Sequence, residues 1–461
     1  MLPSLILAFT EGNDRVIRAF AVPMALALAA GSMAIFLGRK VPVRFGPADG
    51  FLLVSLAWIL TSFFGASPFF LSGYVPNLSE AIFESVSGFT TTGASVFSSV
   101  EAVPRSLLFW RAMTHWLGGM GIVVLTVALL PLLGVGGFQL VKAEAPGPEK
   151  DKMTPKVGQT AKILWLLYLG LTVLQAALLM AGGMDWFEAT THAFATMATG
   201  GFGVKNESVG YYRSAWIDGV CIVFMVIAGA NFSLYYRLLT GKFRDLIANS
   251  ELRAYLGVFF LSSLVIAVSL LPTYGTFGTA FRYASFQSSS ILTTTGFATA
   301  DFDGWPEFAK MVLVLLMLIG GCSGSTGGGI KVVRHVVLWK QAGNEMRRLL
   351  YPRGIFSVRL NGKVGRKDVV YGVAGFVFVY LALVFGVALV VASSGADVIT
   401  SLTSSLATVG NIGPGLGRVG PAMNYASFPD YVTYVLSFAM LAGRLELWTI
   451  LILFKREFWR T

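Results

Sequence analysis

The sequence predicts an all-α, polytopic membrane protein of four tandem helix–loop–helix repeats about a pseudo-fourfold axis, preceded by a partial extra hairpin. Three observations carry this. Of 461 residues, 55% are hydrophobic and only 13% charged, with a mean hydropathy of +0.70, outside the range of water-soluble domains. Several apolar stretches approach or exceed the roughly 18 to 20 residues that a helix needs to cross a bilayer. Four short segments lying between apolar stretches also read alike.

The elements follow in order. Residues 1–10 have no basic region and no small-residue cleavage site before the charged turn Glu11 to Arg15, so they read as the second half of a helix rather than a signal peptide. Spanning stretches follow at 17–37, 51–71, 163–180, 256–271, 369–391 and 431–454, whereas 311–320 is too short to span alone.

A net charge of +11 suggests a polyanionic partner, but in a membrane chain the positions of the charges come first. Five segments hold 25 of the 35 basic residues: Arg39, Lys40 and Arg44; Lys142 to Lys162; Arg237 to Arg253; Lys331 to Lys367; and Lys455 to Arg460. The positive-inside rule places all five, and the C-terminus, in the cytoplasm. Nucleic-acid binding is the weaker reading of this charge. Cys221 and Cys322 fall in or beside apolar segments and read as small buried hydrophobes. His115, His192 and His335 share no helical spacing, so neither zinc nor redox chemistry is supported.

The four similar segments are 80–95, 187–202, 283–299 and 396–415. Each is a semi-apolar helix too short to span, ending in a hydroxyl-rich turn at Gly93, Gly201, Gly296 and Gly413. A membrane tolerates such irregular backbone only where protein buries it or where it lines a water-filled cavity, so these are re-entrant pore loops. The glycines recur after 108, 95 and 117 residues, leaving room for one helix on either side of each loop. Four loops on one axis would form a ring of carbonyls able to replace the hydration shell of a monovalent cation. The negative C-terminal ends of the short helices would favour a cation there. A single Thr-Thr-Gly turn is ordinary helix-packing chemistry; four copies at equivalent places are not.

With these loops, Trp116 to Ile122, residues 133–137 and 143–148, Gly320 to Gly329, Asn411 to Gly417 and Gly443 to Glu446, the chain resembles the Trk/Ktr/HKT superfamily of potassium transporters, in its bacterial TrkH/TrkG branch. The resemblance covers nearly the whole chain. It implies potassium uptake across the bacterial plasma (inner) membrane by a homodimer with one pore per subunit, and a cytosolic nucleotide-binding regulator of the TrkA or RCK type. The chain would be no enzyme and carry no organic cofactor, with K+ as its transported ion. The filter, binding K+ through backbone carbonyls, would comprise Thr91, Thr92, Gly93 and Ala94; Thr199, Gly200, Gly201 and Phe202; Thr294, Thr295, Gly296 and Phe297; and Asn411, Ile412, Gly413 and Pro414. Members with serine at the first glycine tend to admit sodium, so glycine in all four favours potassium. Two departures stand out. The extra hairpin, residues 1–45, has a truncated first helix, and the fourth loop carries Asn411, Ile412 and Pro414 around its glycine. The helix–pore-loop–helix repeats would occupy 46–145, 146–245, 246–355 and 356–461.

The run Gly320, Gly321, Cys322, Ser323, Gly324, Ser325, Thr326, Gly327, Gly328 and Gly329 cannot sustain helix at about 1 kcal/mol per glycine. The resemblance makes it an intramembrane gate; the plainer reading is a packing kink. Arg444, inside the last apolar stretch, would face water, a carboxylate such as Glu446, or the pore, where it would set a barrier to cations. Two rivals remain. Gly321-Cys322-Ser323-Gly324 matches an intramembrane serine protease motif, with His335 as a poorly placed base. A potassium symporter coupled to Na+ or H+ is the other, with Glu84 and Glu446 as candidate proton carriers.

Overall fold

Apolar runs leave the backbone in lipid no hydrogen-bond partner but itself, and helix is the local solution. The structure, a computed structural model, describes residues 1–39, 46–124, 157–361, 363–364 and 367–460. Lys40, Arg44, Lys142, Lys150, Lys152, Lys156 and the motifs at 133–137 and 143–148 lie outside the described residues.

Helices α1 (Leu2–Glu11) and α2 (Asp14–Gly38) form the N-terminal hairpin, turning at Gly12 with φ 65°. The first repeat holds α3 (Pro47–Ser72), the short α4 (Leu78–Phe89) and α5 (Arg105–Val124). The second holds α6 (Val157–Ala181), the short α7 (Trp186–Met197), α8 (Ala215–Ala228) and α9 (Phe232–Leu239). A connector, α10 (Phe243–Ala248), leads to the third repeat: α11 (Ser250–Ser269), α12 (Leu271–Tyr274), the short α13 (Phe277–Leu292), α14 (Glu307–Met317) and α15 (Val332–Leu350). An antiparallel pair of two-residue strands, β1 (Arg359–Leu360) and β2 (Lys363–Val364), precedes the fourth. That repeat holds α16 (Lys367–Ala392), the short α17 (Val398–Val409), α18 (Asp430–Arg444) and α19 (Trp448–Leu451).

Among the described residues five helices are long and apolar enough to cross a membrane, or seven if each bent pair counts as one span. The outer helices turn Leu26, Leu28, Ile35, Phe36, Phe378 and Leu389 outward, a surface suited to lipid and not to water. The short helices are buried at the centre instead: nine of the twelve residues of α4 are buried, as are nine of the twelve of α17.

The expectation of one continuous span over 431–454 is corrected. The chain breaks after Arg444 and turns by 114°. Glu446 and Leu447 have φ of 60° and 54°, left-handed values that no α-helix of L-residues contains. Helices α8 and α9 meet at a similar break, bent by 96°, and α14 stops at Met317 before α15 resumes at Val332. The outgoing helices of the last three repeats are therefore all interrupted within the molecule.

Candidate functional site

All four short helices end in one backbone pattern. The N–H groups of Thr91, Thr199, Thr294 and Asn411 donate to the carbonyl three residues back, and those of Thr92, Gly200, Thr295 and Ile412 to the carbonyl five residues back. This is a Schellman ending, which requires a left-handed residue at its turn. That residue is usually glycine, yet here it is Thr91, Thr199, Thr294 or Asn411, with φ between 54° and 60°. Two residues later Gly93, Gly201, Gly296 and Gly413 also have positive φ, from 81° to 98°. The fourth loop, the most divergent in sequence, follows the same backbone course as the others.

The four turns meet. A Cβ on Gly93 would collide with the Gly200 carbonyl oxygen, one on Gly201 with that of Thr295, and one on Gly296 with that of Ile412. A Cβ on Gly413 would lie 2.6 Å from the Thr92 carbonyl oxygen, which closes the ring in chain order. Ala94, Phe202 and Phe297 are buried behind it, and Pro414 packs against Gly296. Gly93, Gly201 and Gly296 remain partly exposed where their surroundings are buried.

Side chains tie the seams. The buried Glu84 carboxylate of α4 accepts from Arg111 Nε of α5 at 2.5 Å, from the Val96 N–H at 2.9 Å and from the Ser95 hydroxyl at 3.1 Å. Arg111 also donates to the Gly203 carbonyl at 2.9 Å and lies 3.5 Å from the Phe202 ring centroid, bridging the first and second repeats. Gly210 donates to the Ala298 carbonyl, joining the second to the third. Gly417 donates to Asp303, joining the third to the fourth. Tyr425 completes the circuit, its N–H donating to the Ser95 carbonyl and its hydroxyl to that of Gly413 at 2.7 Å. On the outer rim, burial works against the Lys205 ammonium, but the Glu188 carboxylate 3.2 Å away holds its pKa above the ordinary lysine value.

Gly118 and Gly443 let α5 and α18 pass against the ends of the short helices; a Cβ at either would strike the Phe89 or Val409 carbonyl oxygen. This explains Gly118 of the Trp116 to Ile122 motif.

Residues 320–329 form a folded loop directly beneath the turns. The Thr326 hydroxyl donates to the Met197 carbonyl at the end of α7, and the Gly328 N–H to the Thr294 hydroxyl at 2.6 Å. A Cβ on Gly328 would strike the Gly410 carbonyl oxygen at the end of α17. The loop also docks into the α8–α9 break: Cys322 donates to the Gly229 carbonyl at 2.8 Å, and Phe232 donates to that of Gly324 at 3.1 Å. Lys331 Nζ donates to the Gly327 carbonyl.

Arg444 is 4% exposed and donates to the loop's Thr326 carbonyl at 2.6 Å and to that of Gly118 at 3.4 Å. Of the three settings the sequence allowed for it, the pairing with Glu446 is not observed; that carboxylate pairs with Arg334 of α15. The protease arrangement is also absent: the His335 ring bonds the Leu318 carbonyl, and the Ser323 N–H donates to Glu251.

Sequence reasoning missed Arg111, Glu251 and Tyr425. An arginine inside an apolar helix was the available signal.

Comparison with known proteins agrees with this architecture. The TrkH family model, described as a cation transport protein, matches residues 17–271 and 274–460. The Trk system potassium uptake protein TrkH of Escherichia coli strain K12 is 42% identical over 469 residues, covering 100% of this chain and 95% of that protein. The Trk system potassium uptake protein TrkG of the same strain is 34% identical, over 100% of this chain and 95% of that one. The crystal structure of the potassium transporter TrkH from Vibrio parahaemolyticus superposes with a TM-score of 0.90 at 36% identity, over 100% of this chain and 96% of that one. With both sequence and fold matched along its length, this chain belongs to the TrkH family of cation transport proteins, as a multi-pass membrane protein and not an enzyme.

Proposed function

We propose that this chain takes up potassium through a channel-like pore on the pseudo-fourfold axis, with the four loops as selectivity filter and residues 320–329 as gate. The observation that carries the reading is the closed ring, in which each filter glycine abuts the carbonyl that precedes the glycine of the next repeat. Carbonyls at that density can replace the hydration shell of K+. The ends of α7, α13 and α17 bring partial negative charge to the space below, which favours a cation. The gate loop occupies that space and must move for an ion to pass. Arg444, donating to the loop from α18, adds a positive charge on the same exit path.

Passive permeation is favoured over Na+ or H+ coupling because both candidate proton carriers are held in ion pairs, Glu84 with Arg111 and Glu446 with Arg334. We read the membrane as the bacterial inner membrane and the C-terminus as cytoplasmic, on the distribution of basic residues. The homodimer and the TrkA/RCK-type nucleotide-binding regulator rest on the family resemblance, supported by the name of the Trk system that the relatives carry.

The test is cation flux into proteoliposomes, comparing potassium, rubidium, sodium and lithium, for the wild type and Gly93→Ser. The φ of 81° at Gly93 and the Gly200 carbonyl beside it leave no room for a side chain. The expected result is potassium and rubidium flux in the wild type, shifted toward sodium in the variant. Absence of cation flux even with a regulator added would overturn the pore.

A further inference from the structure

Most of the hydrogen bonds that hold the 320–329 loop run between neutral groups: the carbonyls of Gly229, Ala228 and Met197, and the Thr294 hydroxyl. One is different. Glu251, in the first turn of α11, is 8% exposed, and its Oε1 accepts from the Ser323 N–H at 2.6 Å. A charge-assisted bond of this kind is about twice as strong as a neutral one. Among the described residues it is the one carboxylate hydrogen-bonded to the loop.

The preceding residue points elsewhere. The Ser250 N–H and hydroxyl both donate to Asn361 Oδ1, at 2.8 and 3.0 Å. Asn361 lies in the turn between β1 and β2 with φ 49°, on the segment that follows the basic helix α15. Two adjacent residues thus join an exposed hairpin turn to the loop beneath the filter.

We infer that Glu251 is a positioning residue that latches the loop in its obstructing conformation, and that the β1–β2 turn holds the latch through Ser250. The inference rests on the reading of 320–329 as a gate. Displacing the hairpin pulls Ser250, withdraws the carboxylate from Ser323 and lets the loop leave the axis. Losing a charge-assisted bond shifts a two-state equilibrium by about tenfold or more.

The experiment is potassium flux per purified protein molecule in proteoliposomes without any regulator, together with the potassium-to-sodium ratio. Glu251→Ala is expected to raise basal flux about tenfold with the ion ratio unchanged. Glu251→Gln, whose amide oxygen still accepts, falls between it and the wild type. Asn361→Ala raises flux in the same direction as Glu251→Ala. A merely structural role for Glu251 would lower flux or disturb the ion ratio in both Glu251 variants, and that result overturns the inference. Arg444→Ala, which frees the loop at Thr326, separates the two readings. Higher flux in Arg444→Ala but not in the Glu251 variants removes the latch and keeps the gate; no rise in any variant removes the gate as well.

Discussion

Thr91, Thr199 and Thr294 sit in a conformation that costs an L-residue about 1 to 2 kcal/mol, more so a β-branched one, and each is fully or almost fully buried. The surrounding backbone bonds over-determine the turn, so the strain persists. The fourth repeat uses Asn411, a residue that tolerates these angles, and spends its amide on the Thr92 hydroxyl and the Met440 carbonyl. Thr91→Asn is therefore expected to stabilise the protein by about 1 kcal/mol, read as a higher midpoint of thermal unfolding in detergent. Arg111 behaves in the opposite way. Arg111→Met leaves the Glu84 carboxylate buried without its counter-charge, at a cost of about 3 to 5 kcal/mol. Adding Glu84→Gln to that variant should restore most of the loss, and an additive double variant would show that the pair does not act as a unit.

Among the elements, the short helices depend on their outer ends. Asp397 caps α17, its carboxylate accepting from the Thr400 N–H at 2.9 Å and from the Thr400 hydroxyl at 2.6 Å. Those bonds hold its pKa below the usual aspartate value. A lowered folded-state pKa gives stability that is complete above the ordinary aspartate range and is lost as pH falls through the folded value. Asp397→Ala should cost about 0.5 to 1 kcal/mol at neutral pH, modest because the site is exposed, and the difference from wild type should disappear in acid. Unfolding curves across pH check both statements. These helices were legible in the sequence because their cue is local: a dozen semi-apolar residues followed by hydroxyls and glycine. The breaks at Gly229 to Asn231 and at Leu445 to Leu447 were not, because the composition on either side stays apolar and helical. What interrupts them is a distant partner, the 320–329 loop at the first and Arg334 at the second.

At the scale of the molecule, the candidate site is a product of closure. Single residues such as Gly93 and Gly296 could be marked in the sequence, but the order of their contacts follows only when four repeats meet. Arg111 and Tyr425 act across repeat boundaries, and no spacing within one repeat could reveal them. Closure also makes the thiols informative. Cys322 is 1% exposed within the loop and Cys221 0% within α8. If the loop leaves the axis, a membrane-impermeant thiol reagent added from the cytoplasmic side should modify Cys322 and spare Cys221, as read by mass spectrometry. Modification of neither thiol under conditions of high flux would contradict that movement.

The ring of Gly93, Gly201, Gly296 and Gly413 is drawn from one polypeptide. A channel of four identical subunits changes its ring four residues at a time, so every substitution is an all-or-none experiment for the lineage that carries it. Here a single codon alters one quadrant and leaves three intact. On the filter reading proposed above, ion preference can thus be adjusted in small asymmetric steps, one quadrant at a time.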